Sequence, residues 1–218
     1  MSFQEQLDAI RDEELAKTPG AVREIMAEAQ RYLRETGVGG GVLAVGQEAP
    51  DFTLPDVDGR AVSLHETCRR GPVILDFFRG GWCPFCSLEL RAYERLIASI
   101  EHAGASLLAI SPETTRHLRQ LVRENELSFP VLSDADNAAA RRYGLVYTLP
   151  ETLRPIYAAF GLDLPERMGT SSFELPIPAT FLVDRDRVVR RSFHDLDVTH
   201  RGAPEDFVAA LQELRPAS

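Results

Sequence analysis

Across residues 3–36 the apolar positions Leu7, Ile10, Leu15, Val22, Ile25, Ala29 and Leu33 recur at helical spacing in a stretch otherwise rich in Glu, Ala, Gln and Arg. Thr18-Pro19-Gly20 interrupts the repeat once. The pattern predicts two amphipathic helices whose apolar stripes need a surface to cover them. Gly37, Gly39, Gly40 and Gly41 then predict a flexible joint, and residues 47–59 read as short extended pieces around an Asp58-Gly59 turn. A helical extension and Gly-rich joint therefore occupy residues 1–40, and one domain runs over 41–218, its folded core starting near residue 46.

Beyond the joint the period changes. Residues 73–78 form an apolar run led by β-branched side chains, bounded by Gly71-Pro72 and Gly80-Gly81, which predicts a buried strand. Leu90, Tyr93, Leu96, Ile97 and Ile100 share one face of a helix over 84–101. A strand at 106–110, a helix at 112–126, a strand at 129–132 and a helix at 136–143 continue the alternation, so the order is βαβαβα and the sheet largely parallel. Residues 180–183 and 188–192 read as a closing hairpin, followed by a helix at 204–214. The sum is a three-layer α/β sandwich. Residues 145–177, with Pro150, Pro155, Pro165 and Pro176, form a long insertion placed to line a substrate groove.

Composition narrows the function. Apolar residues at 44% and charged residues at 26% are ordinary globular usage. With 33 acidic against 24 basic side chains the net charge is −9, which argues against a nucleic-acid partner. No apolar run approaches the roughly 18 residues of a membrane span, and the N-terminus lacks a signal-type pattern, so a soluble, cytoplasmic protein is expected. Three cysteines are too few for a disulfide scaffold in a chain of 218 residues. Two of them form Cys83-Pro84-Phe85-Cys86 between the predicted strand and helix. There the first sulfur meets unpaired N–H groups and the positive end of the helix dipole, which favour a thiolate, and Pro84 suits the first helical turn. The second sulfur lies one turn deeper, within reach of a mixed disulfide or sulfenic acid formed at the first.

Ala49-Pro50-Asp51-Phe52-Thr53-Leu54-Pro55, Asp58-Gly59, Val62-Ser63-Leu64, residues 73–78, Ile110-Ser111-Pro112, residues 129–134 and residues 178–184 together resemble the peroxiredoxin-like alkyl hydroperoxide reductase/thiol-specific antioxidant family over roughly residues 46–200. The resemblance implies a thioredoxin-like fold with peroxiredoxin-type additions. Trp82-Cys83-Pro84-Phe85-Cys86 is in turn similar to the Trp-Cys-x-x-Cys of thioredoxins. Peroxiredoxins carry Pro-x-x-x-Thr/Ser-x-x-Cys, and the corresponding stretch here is Arg79-Gly80-Gly81-Trp82-Cys83-Pro84-Phe85-Cys86. Only the peroxidatic position, Cys86, is kept. Cys83 stands at the Thr position, and Pro178 stands where the active-site Arg precedes the Ala179-Thr180-Phe181 strand. In thioredoxins a cis-proline that faces the two sulfurs occupies this place, and Pro178 fits it.

The chemistry expected is therefore that of a dithiol oxidoreductase in a peroxiredoxin-like frame: Cys83 and Cys86 cycle between dithiol and disulfide, reducing a small hydroperoxide or disulfide, with electrons from an external dithiol. The helix terminus favours Cys83 as nucleophile; the family alignment offers Cys86 as a peroxidatic alternative. Trp82, on a Gly-Gly loop, borders the groove with Pro178. Asp76, flanked by Leu75 and Phe77, is either a proton acceptor beneath the second sulfur or a strand carboxylate bonded to backbone. His65-x-x-Cys68, 14 residues and Cys83-x-x-Cys86 nearly match a zinc ribbon, so a redox-inactive zinc-binding or interaction module is the rival, opposed by the intervening strand. Cys68 is expected to be structural. His65, His102, His117, His194 and His200 are expected at solvent-exposed positions. No Gly-x-Gly-x-x-Gly or phosphate loop points to a bound cofactor. The apolar stripes of 3–36 predict a homodimer, with packing on the same chain as the alternative.

Overall fold

In a computed structural model, which describes residues 1–214, two helices open the chain. In α1 (Phe3–Lys17), Ser2 and Glu5 form a capping box: Ser2 Oγ accepts the Glu5 N–H, and the Glu5 carboxylate accepts the Ser2 N–H at 2.6 Å. The helix stops before Pro19, and α2 (Gly20–Glu35) starts directly after it. Phe3 and Leu7 of α1 and Ala29 and Leu33 of α2 are buried against the rest of the chain. The extension thus packs largely on its own chain, while Leu15, Ile25, Met26 and Tyr32 remain exposed.

The glycine joint is tied down rather than free. Gly37 and Gly39 take positive φ in successive turns, and just beyond them the Leu43 N–H donates to the Tyr143 carbonyl at 3.1 Å. A small hairpin, β1 (Thr53–Pro55) and β2 (Ala61–Ser63), turns at Gly59 with φ +83 and leads into α3 (Leu64–Arg70).

The remaining elements are β3 (Val73–Phe77), α4 (Pro84–His102), β4 (Ser106–Ser111), α5 (Thr115–Glu124), β5 (Val131–Ser133), α6 (Ala138–Arg142), β6 (Val146–Thr148), α7 (Arg154–Ala159), α8 (Leu164–Met168), β7 (Glu174–Pro176), β8 (Ala179–Val183), β9 (Val189–His194) and α9 (Pro204–Glu213). The central sheet has the order β5-β4-β3-β8-β9, parallel from β3 through β4 to β5 and antiparallel from β3 through β8 to β9. The wound half and the closing hairpin are thereby joined at β3, whose residues are all buried.

Alternate residues of β3 serve opposite faces. Leu75 and Phe77 join Cys68, Tyr143 and Phe181 on one side, while Ile74 and Phe78 join Leu90, Tyr93 and Phe207 on the α4 side. Asp76 has the parity of Ile74 and Phe78, so its carboxyl lies on the α4 face. The predicted boundaries shift where side chains are otherwise engaged. The helix expected from 112 starts at Thr115 because Glu113 is committed to a loop contact described below, and the strand expected from 129 begins only after Pro130, which has no N–H to donate. The insertion is structured: β6 pairs with β7, enclosing α7 and α8.

Candidate active site

Cys83 is the N-cap of α4 with Pro84 at the first helical position, and the Cys83 carbonyl accepts the Ser87 N–H at 3.1 Å. Both Cys83 and Cys86 are buried, at 2% and 0% exposure, and both are free thiols. A hydrogen bond from Cys86, with help from the Arg79 and Arg201 guanidiniums, holds the Cys83 thiol down to about 6 despite its burial. Burial and the neighbouring Cys83 sulfur push Cys86 the other way, well above the ordinary thiol value, with Arg201 opposing. The two sulfurs thus divide into an anionic outer one and a protonated inner one.

Three ionisable groups surround the inner sulfur. Arg201, from the loop before α9, donates from Nη2 to Cys86 Sγ at 3.5 Å and from Nη1 to Glu89 Oε2 at 2.8 Å. Glu89 sits three residues after Cys86 on α4, and the Arg201 and Glu89 side chains are each 2% exposed. Burial raises the Glu89 carboxyl to about 7 against the pull of Arg201. Asp76, fully buried, accepts from Thr180 Oγ1 at 3.3 Å across the β3–β8 pair, and its second oxygen has no partner among the described residues. Burial first, and the Glu89 charge second, lift its pKa well above the carboxylate range. Asp76 thus belongs to the buried charged cluster around Cys86, with one oxygen left without a hydrogen-bond partner among the described residues.

The loop in front of Cys83 is held from the far side of the sheet end. Glu113, 0% exposed, accepts the Gly81 N–H at 2.6 Å and pairs with Arg167 of α8. Gly80 has φ +154, and a Cβ there would meet the Trp82 indole and lie 2.9 Å from the Glu113 carboxyl carbon. Gly80→Ala is expected to cost about 1–3 kcal/mol in urea unfolding and to lower dithiol reactivity, because either Trp82 or Glu113 must move. An unchanged midpoint with unchanged thiol reactivity would show that the loop is not under this constraint.

Arg79 lies beneath Trp82, its guanidinium carbon 4.7 Å from the indole centroid, and donates to the Tyr157 hydroxyl. Trp82 and Tyr157 meet edge to face at 5.6 Å. Trp82, half-buried, thus contacts a charged side chain rather than only the core. Pro178 is buried just before β8, alongside the end of β3 where Phe77 pairs with Ala179. No peptide bond among the described residues is cis, so the cis geometry expected of Pro178 is corrected to trans. The chain enters β8 from an already extended strand, with the Ile177 N–H donating to the Leu145 carbonyl at 2.7 Å.

Cys68 packs on the opposite face of the sheet, and burial raises it to about 11. No group of three or more His, Cys, Asp or Glu among the described residues is arranged to hold a metal ion, so the four residues of the ribbon-like spacing are not brought together. Four of the five histidines are exposed as expected; His117 is the exception, its side chain 11% exposed and engaged with Thr114 Oγ1 at 2.9 Å and Glu166 at 3.3 Å. Glu89, Glu113 and Arg201 were not singled out by sequence. Glu89 is legible afterwards as the residue one helical turn beyond Cys86, whereas Arg201 is 115 positions from its sulfur partner and leaves no local signal.

A central sheet flanked by helices, with a Cys-x-x-Cys at the N-terminus of the helix after β3, defines a thioredoxin-like fold. The sequence profile of the AhpC/TSA family matches residues 45–192, and the chain belongs to that family. It is 33% identical over 113 residues to the chloroplastic peroxiredoxin Q of Oryza sativa subsp. japonica, covering 52% of each chain, and 25% identical over 145 residues to the thiol-disulfide oxidoreductase ResA of Bacillus thuringiensis subsp. konkukian, covering 66% of each. The match thus spans about half the length of the peroxiredoxin Q. The structure of peroxidoxin BcpB from Mycobacterium tuberculosis superposes with a TM-score of 0.63 at 23% identity, over 80% of this chain and 99% of that one, and shares the fold.

Proposed function

We propose that this protein is a thiol-dependent reductase that cycles Cys83 and Cys86 between dithiol and disulfide, acting on a hydroperoxide or a small disulfide. The observation that carries the reading is the placement of two free thiols, Cys83 at the N-cap of α4 and Cys86 buried one turn deeper, which pushes Cys83 down and Cys86 up. With a hydroperoxide, the Cys83 thiolate attacks the outer oxygen, the O–O bond breaks, and the alkoxide takes a proton to leave as an alcohol. Cys86 then transfers its proton and its sulfur attacks the Cys83 sulfenic acid, forming the disulfide and releasing water. Two electrons from an external dithiol restore the pair. With a disulfide substrate the first step breaks the substrate S–S bond and yields a mixed disulfide on Cys83 and a thiolate that takes a proton; in the second Cys86 gives up its proton, its sulfur attacks the Cys83 sulfur, and the Cys83–Cys86 disulfide forms as the second substrate thiol leaves with that proton. The names of the two relatives, one a peroxiredoxin and one a thiol-disulfide oxidoreductase, fit either substrate.

Stopped-flow reduction of hydrogen peroxide and of a protein disulfide by the reduced protein separates the substrates, and mass spectrometry after mild oxidation should find Cys83 joined to Cys86. A bridge from Cys68 to Cys86 with Cys83 free would sink the dithiol cycle. A thiol at about 6 also sets the pH response: protonation below that value removes the nucleophile, so alkylation of Cys83 by iodoacetamide should rise with a midpoint near 6. A midpoint near the ordinary thiol value would remove the basis for choosing Cys83.

We also propose a homodimer in a reducing compartment such as the cytoplasm, where the three free thiols persist. Leu15, Ile25, Met26 and Tyr32 supply an apolar patch on α1 and α2 that the chain itself leaves uncovered. No helix among the described residues is long and apolar enough to cross a membrane. Light scattering at tens of micromolar should return twice the mass of 24.2 kDa, and the monomer mass would refute the dimer.

A further inference from the structure

A cavity of about 350 Å³ lies between the N-terminal helices, residues 147–157 and residues 196–199, at the low end of the range for small-molecule sites. Most of its wall comes from segments outside the family match, so it belongs to this chain's own additions. The lining is mainly apolar and includes Leu33, Phe85, Leu149, Leu153 and Tyr157. The charges at its rim are mostly spoken for: Arg11 pairs with Asp8 at 2.7 Å, Glu14 with Lys17 at 3.5 Å and Asp197 with Arg34 at 3.9 Å, while Arg23 is exposed.

Arg79 is the exception. It is 4% exposed and lines the cavity, its Nε has no hydrogen-bond partner, and no carboxylate pairs with it among the described residues. Its bonded neighbour is the Tyr157 hydroxyl, and Cys83 is the thiol whose charge acts on it. A buried guanidinium on the wall of a mainly apolar cavity, paired with no carboxylate among the described residues, is complemented by a ligand with one anionic oxygen pair and an apolar tail. We propose that this cavity binds an amphiphilic monocarboxylate of the fatty-acid type, its carboxylate on Arg79 and its tail running between α2 and Leu149 and Leu153.

The site stands on the cavity and Arg79 alone, and does not require that Cys83 and Cys86 cycle. It does make the ligand and the Cys83 thiolate competitors for one guanidinium. Occupancy draws positive charge away from Cys83, so the ligand restrains the thiol while the thiol is unreacted, and Cys83→Ser removes the competing anion.

Trp82, the only tryptophan, reports on the site because it lies over Arg79. Titrating the reduced full-length protein with decanoate below its micellar range should give a saturable change in Trp82 emission. Decanol, of equal length and no charge, should bind about tenfold more weakly, the loss expected when a charged partner is removed. Arg79→Gln should weaken decanoate binding to the level of decanol, Ala27→Phe at the cavity wall should weaken both ligands, and Cys83→Ser should bind decanoate more tightly at pH 8. Decanoate should also slow alkylation of Cys83 at pH 6 where decanol does not. Equal binding of the two ligands, or no saturable signal from either, overturns the proposal. If Arg79→Gln does not fold, the comparison of decanoate with decanol on the native protein decides it.

Discussion

Cys83→Ser is expected to lower the second-order rate constant with substrate by on the order of a thousandfold or more, since a serine hydroxyl in the same place is almost wholly un-ionised. Cys86→Ser should differ in kind. Its Cys83 still reacts once, then stops as a sulfenic acid or mixed disulfide that dimedone labelling or intact mass detects. In Cys86→Ala, which also removes the hydrogen bond that is the largest influence lowering Cys83, the single turnover should need a higher pH than in the wild type. Arg79 and Arg201 remain, so part of the depression persists. The opposite pattern, with Cys83→Ser keeping fast single-turnover reduction and Cys86→Ser inert, would assign the attack to Cys86. Arg201 on its sulfur would then be the activating group.

Removing Arg201 is expected to give the largest loss of stability. Arg201→Leu deletes the partner of a carboxylate that is 2% exposed, and breaking such a buried pair costs about 3–5 kcal/mol. Urea unfolding at pH 8 measures this, and Arg201→Leu combined with Glu89→Leu should recover much of it, because neither charge is then left unpaired. The pH dependence has a definite sign. Glu89 is raised from 4.5 to about 7 on folding, so the folded state binds its proton more tightly than the unfolded state. Its contribution is therefore fully present below 4.5 and is lost as pH rises toward 7. Without Arg201, which opposes that rise, the carboxyl goes higher still, and the variant should sit closest to the wild type at acid pH. A variant as stable as the wild type at pH 8 would mean that the cluster is not held shut around its charges.

Much of this architecture was legible before any coordinates. A continuous apolar run at residues 73–78, as a strand buried on both faces needs, and periods near 3.6 in the flanking helices are local consequences of burial, so β3, α4, β4 and the final hairpin appear where the pattern puts them. The break at Pro19 and the turn at Gly59 follow from the covalent limits of proline and the freedom of glycine. Cys83 at a helix N-cap is of the same kind, since Pro84 and the preceding glycines specify the turn by themselves. The parity of Asp76 also placed it on the face of the second sulfur, but its orphaned oxygen and the direction in which burial moves its carboxyl come from packing alone.

What the sequence alone determined is therefore the series of elements and the position of the two sulfurs, because backbone preference and one-sided burial act over a few residues. Tertiary structure decided the electrostatics. Arg201 reaches Cys86 across 115 positions, Glu113 grips Gly81 across 32, and Arg79 meets Tyr157 across 78. Each contact depends on which loops the sheet order brings to the end of β3, and no periodicity encodes that. The trans bond at Pro178 and the cavity beneath the N-terminal helices were settled at the same level, where packing between distant segments outweighs the preferences of any one of them.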